Sequence, residues 1–219
     1  MKATLALALL VALAASWTPA AEGRAGDAPA FHGRAERIDA ETRARMSGVS
    51  WHRGCPVGFA ELRLLSVSHW GFDGRVHRGR LVVNRDAATA MLSAMRSLYQ
   101  LRFPIRQMRL VDAYGADDHR SMAADNTSAF NCRFVAGSPG VWSEHAYGRA
   151  IDLNPIENPY VTASGYVSPP AGAPFADRSR RRRGMVGAGA VEAFAAAGWE
   201  WGGDWPWPRD YQHFSASGH

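Results

Sequence analysis

Lysine and cysteine are both scarce in this chain of 219 residues: the lysine is Lys2 alone, and the cysteines are Cys55 and Cys132. No CxxC pair and no zinc-finger spacing occurs, which sets aside cysteine-based metal modules. There is no G-x-S-x-G elbow, no HExxH and no P-loop, so serine hydrolases of the nucleophile-elbow type, HExxH proteases and P-loop NTPases find no support. No nucleic-acid motif is recognisable, and no nucleic-acid partner is expected. There is no internal repeat of the kind that builds a solenoid. Beyond the first twenty residues no apolar run approaches the length of a bilayer-spanning helix, so no stable membrane span is expected.

Arginine carries almost all the positive charge, giving a net +5 and a pI near 9.7. That balance favours contact with an anionic polymer without choosing among nucleic acid, membrane surface and cell wall. At the N-terminus, Lys2 precedes an apolar run from Leu5 to Ala15, followed by small residues through Ala20 and Ala21. This pattern predicts a secretory signal over 1–21, with an uncleaved anchor as the alternative, and a secreted or wall-associated, extracytoplasmic protein. In an oxidising compartment Cys55 and Cys132 are expected to pair, with two buried thiols as the alternative.

Residues 22–48 are rich in Ala, Gly, Arg and acidic side chains and read as a flexible lead-in, with a short helix around Asp39 to Met46. A folded domain is expected over 49–219. Gly79–Asn84 and Met108–Ala113 read as strands. Between them Ala88, Met91, Leu92, Met95, Leu98 and Tyr99 recur at helical spacing, with Asp86 as the expected cap. Ala150 to Asn154 alternates, Val191 to Ala197 reads as a helix stopped by Gly198, and a last short strand carries His213 and Phe214. Helices and strands interleave without Rossmann-like repetition, so an α+β fold with a small, mostly antiparallel sheet is expected. Pro155 to Phe175 reads as a loop that could rim a site. The basic run Arg178 to Arg183 reads either as a solvated loop or as a dock for an anionic wall polymer.

Two of the eight histidines stand in suggestive company. His145 lies seven residues before Asp152, with Gly148 between them, and His213 lies three residues after Asp210. A hydrolytic zinc site needs three nitrogen or oxygen ligands and an open position for water. It also needs a carboxylate that does not bind the metal, to move the proton, and donors for the oxyanion. His145, Asp152 and His213 fit the ligand posts, and Asp210 fits the base. Nitrogen and oxygen donors suit Zn2+, although other divalent ions share that preference.

Ser143, His145, Gly148, Ala150 and Asp152 form S-x-H-x-x-G-x-A-x-D, and Asp210, His213 and Phe214 form a second acidic-x-x-His-aromatic signature. Both resemble the VanY/VanX-type D-alanyl-D-alanine peptidase family, which includes L-alanyl-D-glutamate endopeptidases. The resemblance extends more loosely over 51–216, including Asn126 to Arg133 and Trp199 to Trp205. It implies a hedgehog/DD-peptidase-like fold and a bacterial zinc peptidase acting on peptidoglycan stem peptides. Its metal ligands would be His145, Asp152 and His213, with Asp210 as the base. By the same resemblance Arg133 contacts substrate and the developing oxyanion, and Ser143 lies near the bound peptide. A Cys55–Cys132 bridge would clamp the Arg133 segment beside that site; a structural ion pair is the plainer reading of Arg133. D,D-carboxypeptidase action is the expected activity, with L-alanyl-D-glutamate endopeptidase action or a non-catalytic, metal-containing wall-binding module as alternatives.

Overall fold

The computed structural model describes residues 29–218, so the signal segment expected over 1–21 lies outside them. The chain runs through β1 (Gly33–Arg37), α1 (Ala40–Met46), β2 (Leu62–Trp70), β3 (Val76–Asn84) and α2 (Ala88–Gln100). Next come β4 (Gln107–Met108), α3 (Asp118–Ala123), β5 (Asn126–Thr127), α4 (Glu144–Tyr147) and β6 (Ala150–Asp152). The last third holds β7 (Tyr160–Val161), β8 (Val167–Ser168), α5 (Ala188–Ala195), β9 (Glu200–Trp201), β10 (Arg209–Asp210) and β11 (His213–Ser215). Small sheets of order β1-β2-β3, β10-β7-β8 and β6-β11-β9 are antiparallel, and the pair β4-β5 is parallel. This is the expected α+β arrangement of small sheets and a few helices.

The β2–β3 hairpin is buried on both faces, and its two-residue period divides the core. Leu65, Val67, Leu81 and Val83 pack with Met91, Met95 and Leu98 of α2 and Phe194 of α5. Leu62, Leu64 and Val82 face the other way, against Met46 of α1, Leu110 and Phe130. Each fully buried aliphatic side chain of this kind contributes about 1.5–3 kcal/mol. Ile151, Leu153 and Phe214 join the first cluster, with the Phe194 and Phe214 rings stacked 4.1 Å apart. The strands that carry the site are thereby anchored from beneath.

Four expectations are corrected. The ordered domain begins before residue 49: β1 pairs with β2 from Gly33↔Val67 to Arg37↔Arg63, and the expected helix forms as α1 with Asp39 as its N-cap. All five β1 residues are exposed, so this edge strand has no apolar alternation to betray it. The strand expected over Met108–Ala113 stops at Met108. There the Asn126 side chain accepts from the Arg109 N–H and donates to the Arg109 carbonyl, replacing ladder bonds, and Val111–Tyr114 turns as a 3-10 helix. Asp86 does not cap α2; its carboxylate takes a fork from Arg149 instead, and Ala87 holds the cap position. Pro155–Phe175 contains β7, β8 and a 3-10 turn over Pro170–Phe175 rather than loop alone.

Candidate metal centre

α4 is a single turn because both of its ends are closed. The Ser143 hydroxyl accepts from the His145 N–H at 3.3 Å, and Gly148 takes φ +70° while donating to the His145 carbonyl. A Cβ on Gly148 would sit 2.5 Å from the Asn84 backbone nitrogen. Asn84 in turn binds the Gly148 and Tyr147 carbonyls, so the end of β3 fixes this turn. The chain then enters β6, where Asp152 lies directly opposite His213 of β11. Opposed residues share a face, so both side chains point where His145 arrives from α4. Ile151 and Phe214, opposed on the other face, enter the core.

The three side chains converge. His145 Nε2 lies 3.3 Å from Asp152 Oδ2 and 3.3 Å from His213 Nδ1, and His213 Nδ1 lies 3.2 Å from Asp152 Oδ1. Zinc bonds of about 2.0–2.1 Å in a tetrahedral site place neighbouring donors about 3.3–3.4 Å apart. The observed triangle has those dimensions, so the residues fit such an ion. His145 Nδ1 is 2.5 Å from the Ala129 carbonyl, which can only accept. The ring proton therefore sits on Nδ1 and the Nε2 lone pair faces the triangle, the tautomer a metal needs. Burial alone would raise the Asp152 carboxyl, yet the charge and hydrogen bonds of His145, with those of His213, outweigh it and hold the group well below its usual range.

Asp210 stands on β10, opposite Tyr160 of β7, in a different sheet from the ligand pair. Burial pushes its carboxyl up to about 6, and the Asp152 charge adds to the rise. Its Oδ1 is buried with no hydrogen-bond partner. An unsatisfied carboxylate oxygen beside a cluster of ionisable groups makes Asp210 a candidate for proton transfer.

The structure places the remaining sequence candidates more modestly. Arg133 binds Asp118 of α3 at 2.8 Å, a half-buried ion pair, while its carbonyl accepts from the Ser143 N–H. Ser143 is accounted for locally as the α4 cap. Of the tryptophans, Trp199 is core, Trp205 lies 5.5 Å from the His213 ring and Trp207 is exposed. Cys55 and Cys132 are disulfide-bonded, which removes both sulfurs as ligands from the neighbouring His52 cluster and ties the Arg133 segment to the Cys55 loop. Sequence reasoning missed the Ala129 carbonyl and Tyr160. A main-chain acceptor has no residue signature, and Tyr160 meets Asp210 only through strand pairing.

Two imidazoles and a carboxylate around one point form a group that could hold a metal ion, with Asp210 alongside. Residues 136–216 match the model of a D-alanyl-D-alanine carboxypeptidase family, a stretch that contains His145, Asp152, Asp210 and His213 but not Arg133. That match supports a peptidase from a family of peptidoglycan-acting metallopeptidases, and the small antiparallel sheets with few helices are compatible with its α+β fold. Neither a curated protein nor a solved structure matches the chain.

Proposed function

We propose that this protein is an exported zinc peptidase that hydrolyses peptidoglycan stem peptides, removing a terminal D-alanine as a D-alanyl-D-alanine carboxypeptidase. The observation that carries the reading is the triangle of His145 Nε2, His213 Nδ1 and an Asp152 oxygen, with Asp210 Oδ1 unpartnered nearby. When bound, a zinc ion supplies Lewis acidity toward the scissile carbonyl and a lowered pKa for its water. Asp210, already raised toward neutrality, takes a proton from the attacking water and returns it to the leaving amine. Asp152 stays ionised throughout, and the Ala129 carbonyl keeps the His145 ring in register. Ser143 keeps a hydroxyl proton to donate, and Arg133, whose main chain pairs with Ser143, is assigned to the substrate carbonyl or terminal carboxylate. Export is supported by the leader pattern and by the Cys55–Cys132 bridge, since disulfides persist in oxidising compartments.

The test is incubation of purified protein with a defined pentapeptide stem, with and without chelator, and mass analysis of the products. Chelator-sensitive release of terminal D-alanine is expected. Cleavage between L-alanine and D-glutamate would move the assignment to the endopeptidase, and an intact peptide with zinc at full occupancy would overturn the enzymatic reading.

A further inference from the structure

A second concave site lies behind β10. Arg209 and Tyr211 line a cavity of about 550 Å³, whereas Asp210 between them is not part of its wall, as strand alternation requires. Arg178 and Arg181 reach the same cavity from the basic run, and Trp201 adds a flat aromatic wall. Three guanidiniums therefore meet in one recess, independently of the metal centre.

Among the described residues none of the three forms an ion pair. Arg178 donates to the carbonyls of Glu157 and Val186 and to Asn158 Oδ1, and it stacks 4.5 Å from the Tyr211 ring centre. Arg209 donates to the Gly203 carbonyl and lies over Trp207. All these acceptors are neutral. Among the described residues no carboxylate comes within 4.0 Å of any of the three, although Glu192 and Asp204 also line the cavity. Burial lowers the Arg178 guanidinium to about 10, and the Arg181 charge is a minor opposing influence on its protonation. The Arg181 guanidinium also fills the space over Gly187, the N-cap residue that precedes α5 and offers no side-chain cap, so a cation sits at the positive end of a helix. An anion between these groups would offset the repulsion between Arg178 and Arg181 and the cation at the helix N-terminus.

We propose that this cavity binds a phosphate monoester carried on a small carbon skeleton. Guanidinium forks favour phosphate and carboxylate, and three of them, two from the basic run and one from β10, suit a tetrahedral group with several free oxygens better than a planar carboxylate. The volume exceeds a bare phosphate, and Trp201 and Tyr211 offer the remainder a face for the carbon skeleton. The basic run that reads in sequence as a solvated loop thus delivers Arg178 and Arg181 to a built recess, while Arg183 is used on the Phe72 carbonyl.

The test is calorimetric titration of the full, zinc-loaded protein with sn-glycerol 3-phosphate at fixed ionic strength. Saturable one-to-one binding is expected, weakened about tenfold or more in Arg181→Gln, the equivalent of about 1.4 kcal/mol. Arg181 is exposed and makes no hydrogen bond in the described structure, so this variant folds; Arg209→Gln gives a second reading. Binding should persist in chelated protein. Absence of saturable binding, equal affinity in both variants, or loss on chelation, which would assign the phosphate to the metal centre, overturns the proposal. So does equal affinity for citrate or for a single-stranded oligonucleotide.

Discussion

Asp210→Asn preserves the outline of the side chain and deletes its charge, which separates its cost to the fold from its use in chemistry. In the ion-free protein burial and the Asp152 charge lift this carboxyl from 3.8 to about 6. A group so raised binds its proton more tightly in the folded chain than in the unfolded one. Its contribution to stability is therefore fully present below pH 3.8 and is lost as pH rises through 6. A shift of about two units corresponds to about 3 kcal/mol; partial exposure of the residue screens this to about 1–3 kcal/mol. At pH 8 in chelator the asparagine variant should be the more stable protein by that amount, and near pH 4 the two should converge. Urea unfolding followed by tryptophan fluorescence at both pH values measures the difference. With zinc restored, metal stoichiometry should be unchanged while turnover falls about 10²–10⁴-fold, the usual contribution of a positioned acid–base group. A variant less stable than wild type at pH 8 in chelator, or one that keeps its turnover, would refute this electrostatic account.

Asp152→Ala removes one corner of the donor triangle, and elemental analysis should show zinc affinity falling more than about hundredfold, beyond what loss of an outer partner costs. Replacing Cys55 and Cys132 by serine opens a 77-residue loop; chain entropy predicts a loss of about 3–5 kcal/mol in denaturant melts, reproduced in wild type by a reductant. Gly148→Ala forces a side chain into φ +70° and against the Asn84 nitrogen. Unfolding should become easier by about 1–3 kcal/mol or more, and zinc affinity should drop with it, since the same turn delivers His145.

The approach of His145 to Asp152 was legible because its spacing is local chemistry. A serine cap, one helical turn, a left-handed glycine and a strand carry His145 to Asp152 within ten residues. Helix α2 was legible from its apolar period, and the pairing of His213 with Asp152 follows once both are seen as strand residues. What escaped is tertiary in origin. β1 exposes every side chain, so nothing in its composition distinguishes it from a tail. The Asn126 side chain ends β4 from seventeen positions away, and Asp86 is drawn off its helix by Arg149 from sixty-three positions away. Arg133 shows the same limit: an ion pair was readable from its residue type, but not that its partner would be Asp118.

The carbonyl of Ala129 has a consequence for how this protein responds to mutagenesis. Every amino acid placed at that position brings the same oxygen, so the grip on the His145 imidazole passes unseen through any exhaustive replacement of side chains. Such a scan would score position 129 as a small residue intolerant of bulk. The contact itself yields only to changes in the main chain, such as an inserted residue that shifts the segment or an ester linkage that weakens the acceptor.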